Sequence, residues 1–281
     1  CKNQMLRAWV GDMRDQPESV LAIFPFFHLA GFTAVMTFGV TMGFTIILVP
    51  RPEPKAVFDL MVKYKPTIIP AVPTIYIGLL ALPEFKKADL SFVKGFFCAA
   101  APLALETINA LKASTGATLV EGYGLTESTG LITLTPWRGR LKQGSAGVPL
   151  PNTDMKIVDI ETGLRELPAG EEGEIIFRGP QMCRGYYNRP EETEKAIRDG
   201  WFFTGDIGKV DEDGYVYIVD RKKDMIIAGG YNIYPRDIDE VLFEHPKVLE
   251  ACAVGVHDPY RGETVKAFVV LKQNETATEK E

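Results

Sequence analysis

The chain has no surplus of positive charge: 31 Lys and Arg stand against 37 Asp and Glu, for a formal net charge of -6. Nucleic acid and anionic membranes both reward basic patches, so neither is expected as a general partner. Cysteine is scarce and scattered, with Cys1, Cys98, Cys183 and Cys252 far apart and no CxxC pair. That removes the spacing of a thiol-ligated zinc site or a redox motif. Three of the four have apolar or glycine neighbours, which predicts free, buried thiols in a reducing, cytoplasmic setting. Neither a GxSxG turn nor a Cys–His pair offers a catalytic nucleophile. The residues given show no secretory-leader pattern and begin without an initiator methionine, so no leader is expected. The chain opens at Cys1 in mid-pattern and stops in NETATEKE, a polar run that reads like the start of a helix, so a piece of a longer protein is expected.

One shortage points the other way. No formal charge occurs from Ser19 to Pro50, a stretch long enough to cross a bilayer. Pro25, His28, Gly31, Gly39 and Gly43 interrupt it, and P-F-F-H inside a spanning helix would leave backbone groups unsatisfied. The segment reads better as a strand at 20–24, a loop, a helix from about Phe32 to Gly43 and a strand at 44–49. A buried α/β core has the same hydropathy. No membrane span is therefore expected, while peripheral contact with a membrane is left open.

What is present is 46% hydrophobic and 24% charged residues over 281 positions. That is the balance of a globular protein with room for one large domain or two smaller ones. From Val20 to Gly122 strand and helix patterns alternate. Pro54 opens a helix with Val57, Leu60, Met61 and Tyr64 on one face, and Lys65-Pro66 ends it. Further strands are expected at 67–72, 94–98 and 117–120, with helices from Thr74 and Pro102 between them. This alternation predicts a mostly parallel sheet with helices on both faces. If the strands are parallel, the loops Pro25–Gly31, Ala99–Pro102 and Gly122–Gly130 share one edge, where open α/β sheets bind ligands. The last of these, EGYGLTESTG from Glu121, sets an aromatic ring, a hydroxyl beside a carboxylate, and glycines on one loop.

After about Gly144 the pattern becomes short strands at 155–160, 173–178, 207–210 and 215–219, with Gly, Pro and Asp turns, as in a small antiparallel β-barrel or sandwich. If Asp211 and Gly214 close a tight hairpin, Asp206 lies opposite Val219 and diagonal to Arg221. A carboxylate and a guanidinium so placed fit the clasp of a diol, although a surface ion pair is the more common outcome of such spacing. A helix from Pro235 to about His245 and strands at 249–256 and 265–271 complete a small α+β unit. The expected division is an α/β region at 1–140, a β-barrel-like region at 141–220, and a partial C-terminal α+β lid at 221–281.

Six segments occur here in one order: PFFHLAG (25–31), CAAAPL (98–103), EGYGLTE (121–127), GEIIFRGPQMCRGYYN (173–188), WFFTGD (201–206) and DRKKDMIIAGGYNIYP (220–235). Together they resemble the adenylate-forming (ANL) superfamily of acyl-CoA synthetases, firefly-type luciferases and peptide-synthetase adenylation domains. The last segment is most similar to fatty-acid and other acyl-CoA ligases. The resemblance implies a reaction of a small-molecule carboxylate with ATP to give acyl-AMP, then transfer to CoA, with Mg²⁺ as the metal. It implies that Tyr123 stacks on adenine, with backbone at Ala100, Ala101 and Gly122 along the ring's edges. Thr126 would bind the α-phosphate and Glu127 the Mg²⁺. Asp206 and Arg221 would take the ribose, and His28 would sit where the acyl carboxylate meets the pantetheine arm. Lys223 matches a hinge, and Gly230 the backbone beside CoA.

The same residues also fit plain structural roles. Tyr123 is an ordinary core residue by type, Thr126-Glu127 an ordinary helix start, His28 a satisfied loop histidine, and Lys223 a solvated lysine. His245 and His257 read as structural, and Cys98 and Met225 as packing. Two motifs of the superfamily do not occur: the Ser/Thr/Gly-rich phosphate loop ending in PKG, and the catalytic lysine in a PxxxxGK setting. The expectation is that this polypeptide alone adenylates poorly. Ala99 and Gly229 stand where many relatives carry glycine and serine, respectively. Phe26, Phe27, Phe32 and Phe38 favour an apolar acyl chain of medium or long length. The alternatives are an aryl or branched acid, a carrier-protein loading domain, and a nucleotide-binding remnant without catalysis. The sequence leaves the oligomeric state open.

Overall fold

Val20, Leu21, Ala22 and Ile23 are consecutive and all buried, so the strand that carries them is covered on both faces. The computed structural model describes residues 6, 18–99, 103, 105–137 and 139–278. Ala100, Ala101 and Pro102 lie outside the described residues. The chain divides into two compact units. One comprises Cys1–Lys156, Ile176–Phe203 and Val210–Tyr217, the other Ile157–Ile175, Thr204–Lys209 and Ile218–Glu281.

The first unit is built on β1 (Ser19–Ala22), β2 (Thr45–Leu48), β3 (Ile68–Ala71), β4 (Gly95–Cys98) and β5 (Thr118–Tyr123), all parallel. Two short strands, β6 (Thr133–Leu134) and β7 (Val148–Pro149), return antiparallel and complete the order β2-β1-β3-β4-β5-β6-β7. Leu21, Ile23, Ile69 and Phe96 face α2 (Pro54–Tyr64), α3 (Pro73–Ala81) and α4 (Leu105–Thr115) through Val57, Met61, Tyr76 and Leu111. Val20, Ala22 and Phe24 pack with Val35, Phe38 and Met42 on the opposite face. Helices therefore cover both faces, and each fully buried aliphatic side chain contributes about 1.5–3 kcal/mol.

The buried face of α2 is turned slightly from the expected one. Phe58 is buried, whereas Tyr64, beside the left-handed cap at Lys65, is half exposed. A larger departure lies at 30–42. Ala30–Thr37 is a π-helix that passes into the short α1 (Phe38–Met42). The Phe38 amide donates to the Thr33 carbonyl, and the Thr37 hydroxyl bonds back to that same oxygen at 3.2 Å. The apolar pattern alone does not reveal a π-helix.

Strands β8 (Asp154–Val158), β9 (Gly173–Arg178), β10 (Ile197–Arg198), β11 (Trp201–Val210) and β12 (Val216–Arg221) form a five-stranded sheet in the order β10-β11-β9-β8, with β12 on β11. Helix α5 (Pro190–Ala196) leads into β10. The β11–β12 turn is one residue wider than the tight hairpin read from sequence. The Gly214 amide donates to the Asp211 carbonyl, while the Asp211 amide donates to the Tyr215 carbonyl. Gly214, at φ +81°, is the extra residue.

In the second unit β13 (Ile226–Ala228), β14 (Tyr231–Ile233), β15 (Val248–Asp258) and β16 (Gly262–Leu271) form an antiparallel sheet in the order β14-β13-β16-β15. Helix α6 (Pro235–Phe243) lies on β15, where Asp239 Oδ1 accepts the Ala253 amide at 2.6 Å. The β13–β14 hairpin was not anticipated. Ala228 pairs with Tyr231, so Gly229 and Gly230, at φ +58° and +85°, form the two-residue turn by themselves. Cys98, Cys183 and Cys252 are free thiols, but only Cys98 is buried. On β15 the alternation turns Ala253 inward and Cys252 outward, which corrects the expectation of buried thiols. No helix among the described residues is long and apolar enough to cross a membrane.

Tyr76 ties the parallel strands together. Its ring is fully buried, and its hydroxyl lies 2.9 Å from the Ile69 carbonyl, 2.8 Å from the Phe97 carbonyl and 3.1 Å from the Ala71 amide. Burial, added to by the neighbouring Cys98, holds its pKa well above the usual phenol value. Tyr76→Phe should cost about 1–3 kcal/mol by orphaning these groups. Thermal melting checks this, at roughly 2–4 °C of Tm per kcal/mol; an unchanged Tm would show that the hydroxyl ties nothing.

Candidate functional site

Because β1, β3, β4 and β5 are parallel, the chain leaves each of them at the same edge. Within the first unit, the loop after β1, the exit of β4 and the loop after β5 meet there. A Cβ on Gly130 would lie 3.3 Å from the Leu29 carbonyl oxygen. A cavity of about 10 Å³ is lined by Leu29, Thr33 and Ala34 from the first segment, Phe97 and Ala99 from the second, and Gly130 from the third. Thr33 is buried, and its hydroxyl has no hydrogen-bond partner among the described residues. A second cavity of about 70 Å³ shares Ala34, Phe97 and Leu131 with the first and is otherwise apolar, with Val20, Phe38 and Trp137 in its wall.

His28 is exposed in the loop after β1, and its Nδ1 accepts the Ala30 amide at 3.1 Å. That leaves Nε2 as the nitrogen available to a ligand. Phe38 lines the larger cavity, but Phe27 is 96% exposed and takes no part in it.

Gly122 and Tyr123 end β5, opposite Leu134 and Thr133. A Cβ on Gly122 would come within 3.0 Å of Leu131 and 3.2 Å of Phe97, so packing alone explains that glycine. Tyr123 points to the other side and packs on Ile132, Phe177 and Phe202. Gly124 must be glycine, because its Cβ would fall 2.4 Å from the Leu131 Cα as the chain doubles back. Thr126 is exposed at the start of a 3₁₀ turn, Thr126–Ser128, that Ser128 closes by accepting the Leu125 amide at 2.9 Å.

The loop after β5 is fastened to the segment 181–186, to which the sequence reading gave no role. The Thr129 hydroxyl donates to the Gln181 carbonyl at 2.8 Å, and the Cys183 amide to the Glu127 carbonyl at 2.7 Å. The Tyr186 hydroxyl donates to Glu127 Oε1 at 2.8 Å. Burial first, and then this carboxylate, push the Tyr186 phenol up to about 12, so it stays a donor. The only sequence signal for Tyr186 is its place in the motif GPQMCRGYYN, where nothing separates it from Tyr187, which is 92% exposed against 38% for Tyr186.

In the second unit, Asp206 is buried and its Oδ1 lies 3.9 Å from Arg221 Nε, an ion-pair distance longer than a hydrogen bond. The expected juxtaposition is present despite the wider turn. The Asp206 amide donates to Thr204 Oγ1 at 3.0 Å. Lys223 is exposed in a turn whose Asp224 and Met225 amides donate to the Arg221 carbonyl at 3.0 and 3.1 Å. Gly230 sits at the exposed tip of the β13–β14 hairpin.

Residues 3–187 match the family model described as AMP-binding enzyme, and residues 237–281 match its C-terminal domain. The chain belongs to the AMP-binding enzyme family. Among the relatives of this chain, a long-chain-fatty-acid–CoA ligase of Bacillus subtilis is 49% identical over 99% of this chain and 50% of its own length. A probable 4-coumarate–CoA ligase of Dictyostelium discoideum is 42% identical over 94% of this chain and 48% of its own length. The crystal structure of ATP-bound MatB from Rhodopseudomonas palustris aligns with a TM-score of 0.90 at 35% identity, over 98% of this chain and 54% of that one. The chain thus spans about half the length of the relatives it matches.

Thr33→Val should raise stability by about 1 kcal/mol, because it replaces an unpaired buried hydroxyl with a methyl group of the same shape. Melting should show a gain of roughly 2–4 °C, whereas Thr33→Ser, which keeps the hydroxyl, should show a loss. A lower Tm for the valine variant would mean that the hydroxyl is satisfied in solution.

Proposed function

We propose that this chain is the adenylate-binding portion of an AMP-forming acid–CoA ligase. One observation carries the reading: the His28 loop, the exit of β4 and the loop after β5 enclose a single pocket at the carboxyl edge of a parallel sheet. In the reaction a carboxylate and ATP give acyl-AMP and pyrophosphate, and the CoA thiol then displaces AMP to give the thioester. No nucleophile on the protein is required, so the work is positioning and charge stabilisation.

The exposed Thr126 hydroxyl takes the α-phosphate, and Tyr123 stacks on adenine, with Gly122 and the segment of Ala100 and Ala101 beside the ring. Asp206 accepts from the ribose hydroxyls and Arg221 donates to the ribose. His28, through Nε2, faces the acyl carboxylate and the arriving thiol. Lys223, in its exposed turn, is the hinge residue, and Gly230 at its hairpin tip is the backbone that flanks CoA. Glu127 suits Mg²⁺, since its carboxylate offers hard oxygens, one of them already oriented by Tyr186. Among the described residues no three His, Cys, Asp or Glu gather to hold a metal, so the remaining ligands would be phosphate oxygens and water. Bound there, Mg²⁺ would neutralise phosphate charge. Residues 1–140 and 141–220 form the large domain in this reading, with 221–281 part of a lid, and free thiols support a cytoplasmic setting.

The acid is a medium- or long-chain fatty acid, a choice supported by the apolar cavity beside the pocket. The unpaired Thr33 hydroxyl favours a second reading, an aryl or branched acid with a polar group.

Stable acyl-sulfamoyl adenosines of varied chain length, added to the 281-residue chain, test both points by thermal shift. At 100 times Kd a ligand adds about 2.7 kcal/mol, so a shift of several degrees that grows with alkyl length is expected. Larger shifts with hydroxyaryl analogues would favour the second reading, and no shift with any analogue would contradict the function.

A further inference from the structure

Asp206 and Arg221 form an ion pair at 3.9 Å, longer than a hydrogen bond, and the Arg221 side chain is 63% exposed. The backbone on which they stand fixes where their side chains start: Gly205 immediately before Asp206, and Lys222 immediately after Arg221. The Lys222 amide donates to the Gly205 carbonyl at 2.8 Å. Gly205 has φ +72° and no heavy atom within 4 Å of the Cβ position, so backbone freedom and not lack of room calls for glycine there. Such a residue has no side chain to fix it.

Glu174, on β9, supplies that fixing. Its side chain is 4% exposed. Oε1 accepts the Gly205 amide at 3.1 Å, and Oε2 accepts Lys222 Nζ at 2.8 Å. One buried carboxylate thus bridges the residue before Asp206 and the residue after Arg221, and the Lys222–Gly205 backbone bond closes the ring. Burying a carboxylate is unfavourable unless it is paired and hydrogen-bonded, as both of its oxygens are here. Thr204 completes the frame, since its hydroxyl donates to the Ile175 carbonyl at 2.7 Å and accepts the Asp206 amide at 3.0 Å.

We propose that Glu174, with Lys222, is a positioning residue that sets the spacing between the Asp206 carboxylate and the Arg221 guanidinium, so that the pair recognises a vicinal diol. The inference rests on the reading of Asp206 and Arg221 as ribose-binding groups. Neither Glu174 nor Lys222 touches the nucleotide; they act through the two residues that do. Glu174→Gln leaves an acceptor for Gly205 but turns an amide toward the ammonium. Lys222→Met removes the donor and keeps the stem.

The test is a ratio of affinities: Kd for 2′,3′-dideoxy-AMP over Kd for AMP, measured by calorimetry on the 281-residue chain. The unaltered chain should bind the dideoxy nucleotide at least about tenfold more weakly, the loss expected when a charged group loses its hydroxyl partners. In Glu174→Gln and Lys222→Met the ratio should fall severalfold while the dideoxy affinity holds, and Lys222→Arg should restore it. Lys222 is partly exposed, so its variants test the idea even if Glu174→Gln does not fold. A lower Tm or uniformly weaker binding with the ratio unchanged would make the clamp merely structural and overturn the proposal. A ratio near one in the unaltered chain would overturn the ribose reading and the clamp with it.

Discussion

Parallel hydrogen bonding among β2, β1, β3, β4 and β5 is the constraint on which the rest of the first unit depends. Parallel neighbours cannot be joined by a tight turn. Each strand must be followed by a crossover that returns the chain to the starting end. The π-helix with α1, then α2, α3 and α4, are those crossovers, and their apolar faces supply the two layers that bury the sheet. The same rule sends every strand's carboxyl end to one edge, which places the loops of His28, Ala99 and Glu127 together without any attraction between them. Tyr76, bonded to β3 and β4 near that edge, keeps the platform in register.

In the proposed reaction the chemistry would rest on hydrogen bonds that restrict motion rather than on a reactive side chain. In the first unit Glu127 is held at its carbonyl by Cys183 and at its carboxylate by Tyr186. In the second unit Asp206 is held at its amide by Thr204. Groups fixed in this way would lose little orientational freedom when a phosphate arrived, as electrostatic stabilisation of the proposed transfer requires.

Much of the fold is written in local signals. Pro54 and Lys65-Pro66 bracket α2, and the apolar runs at Val20, Ile68, Phe96 and Leu119 are the parallel strands. Asp206 and Arg221 lie together as expected, but the register behind that expectation does not hold, since Gly214 adds a residue to the turn and a one-residue slip reverses the facing of side chains. The departures share a cause, since each depends on groups distant in sequence or on backbone conformation. Nothing local separates Tyr186, which reaches Glu127, from its far more exposed neighbour Tyr187. Glu174 looks like a polar position in a strand, yet it is turned inward because Lys222 and Gly205 are there to meet it. The π-helix leaves no mark in the apolar pattern, and the β13–β14 hairpin depends on two glycines adopting positive φ together.

In the proposed function an adenylate binds at the carboxyl edge of the parallel sheet. Amide hydrogen exchange of the 281-residue chain, with and without dodecanoyl-sulfamoyl adenosine, checks this residue by residue. Slowed exchange should be concentrated in residues 26–33, 121–131 and 181–187, with α2 and the strand interiors unchanged. Protection elsewhere in the chain, with these segments unaffected, would contradict it.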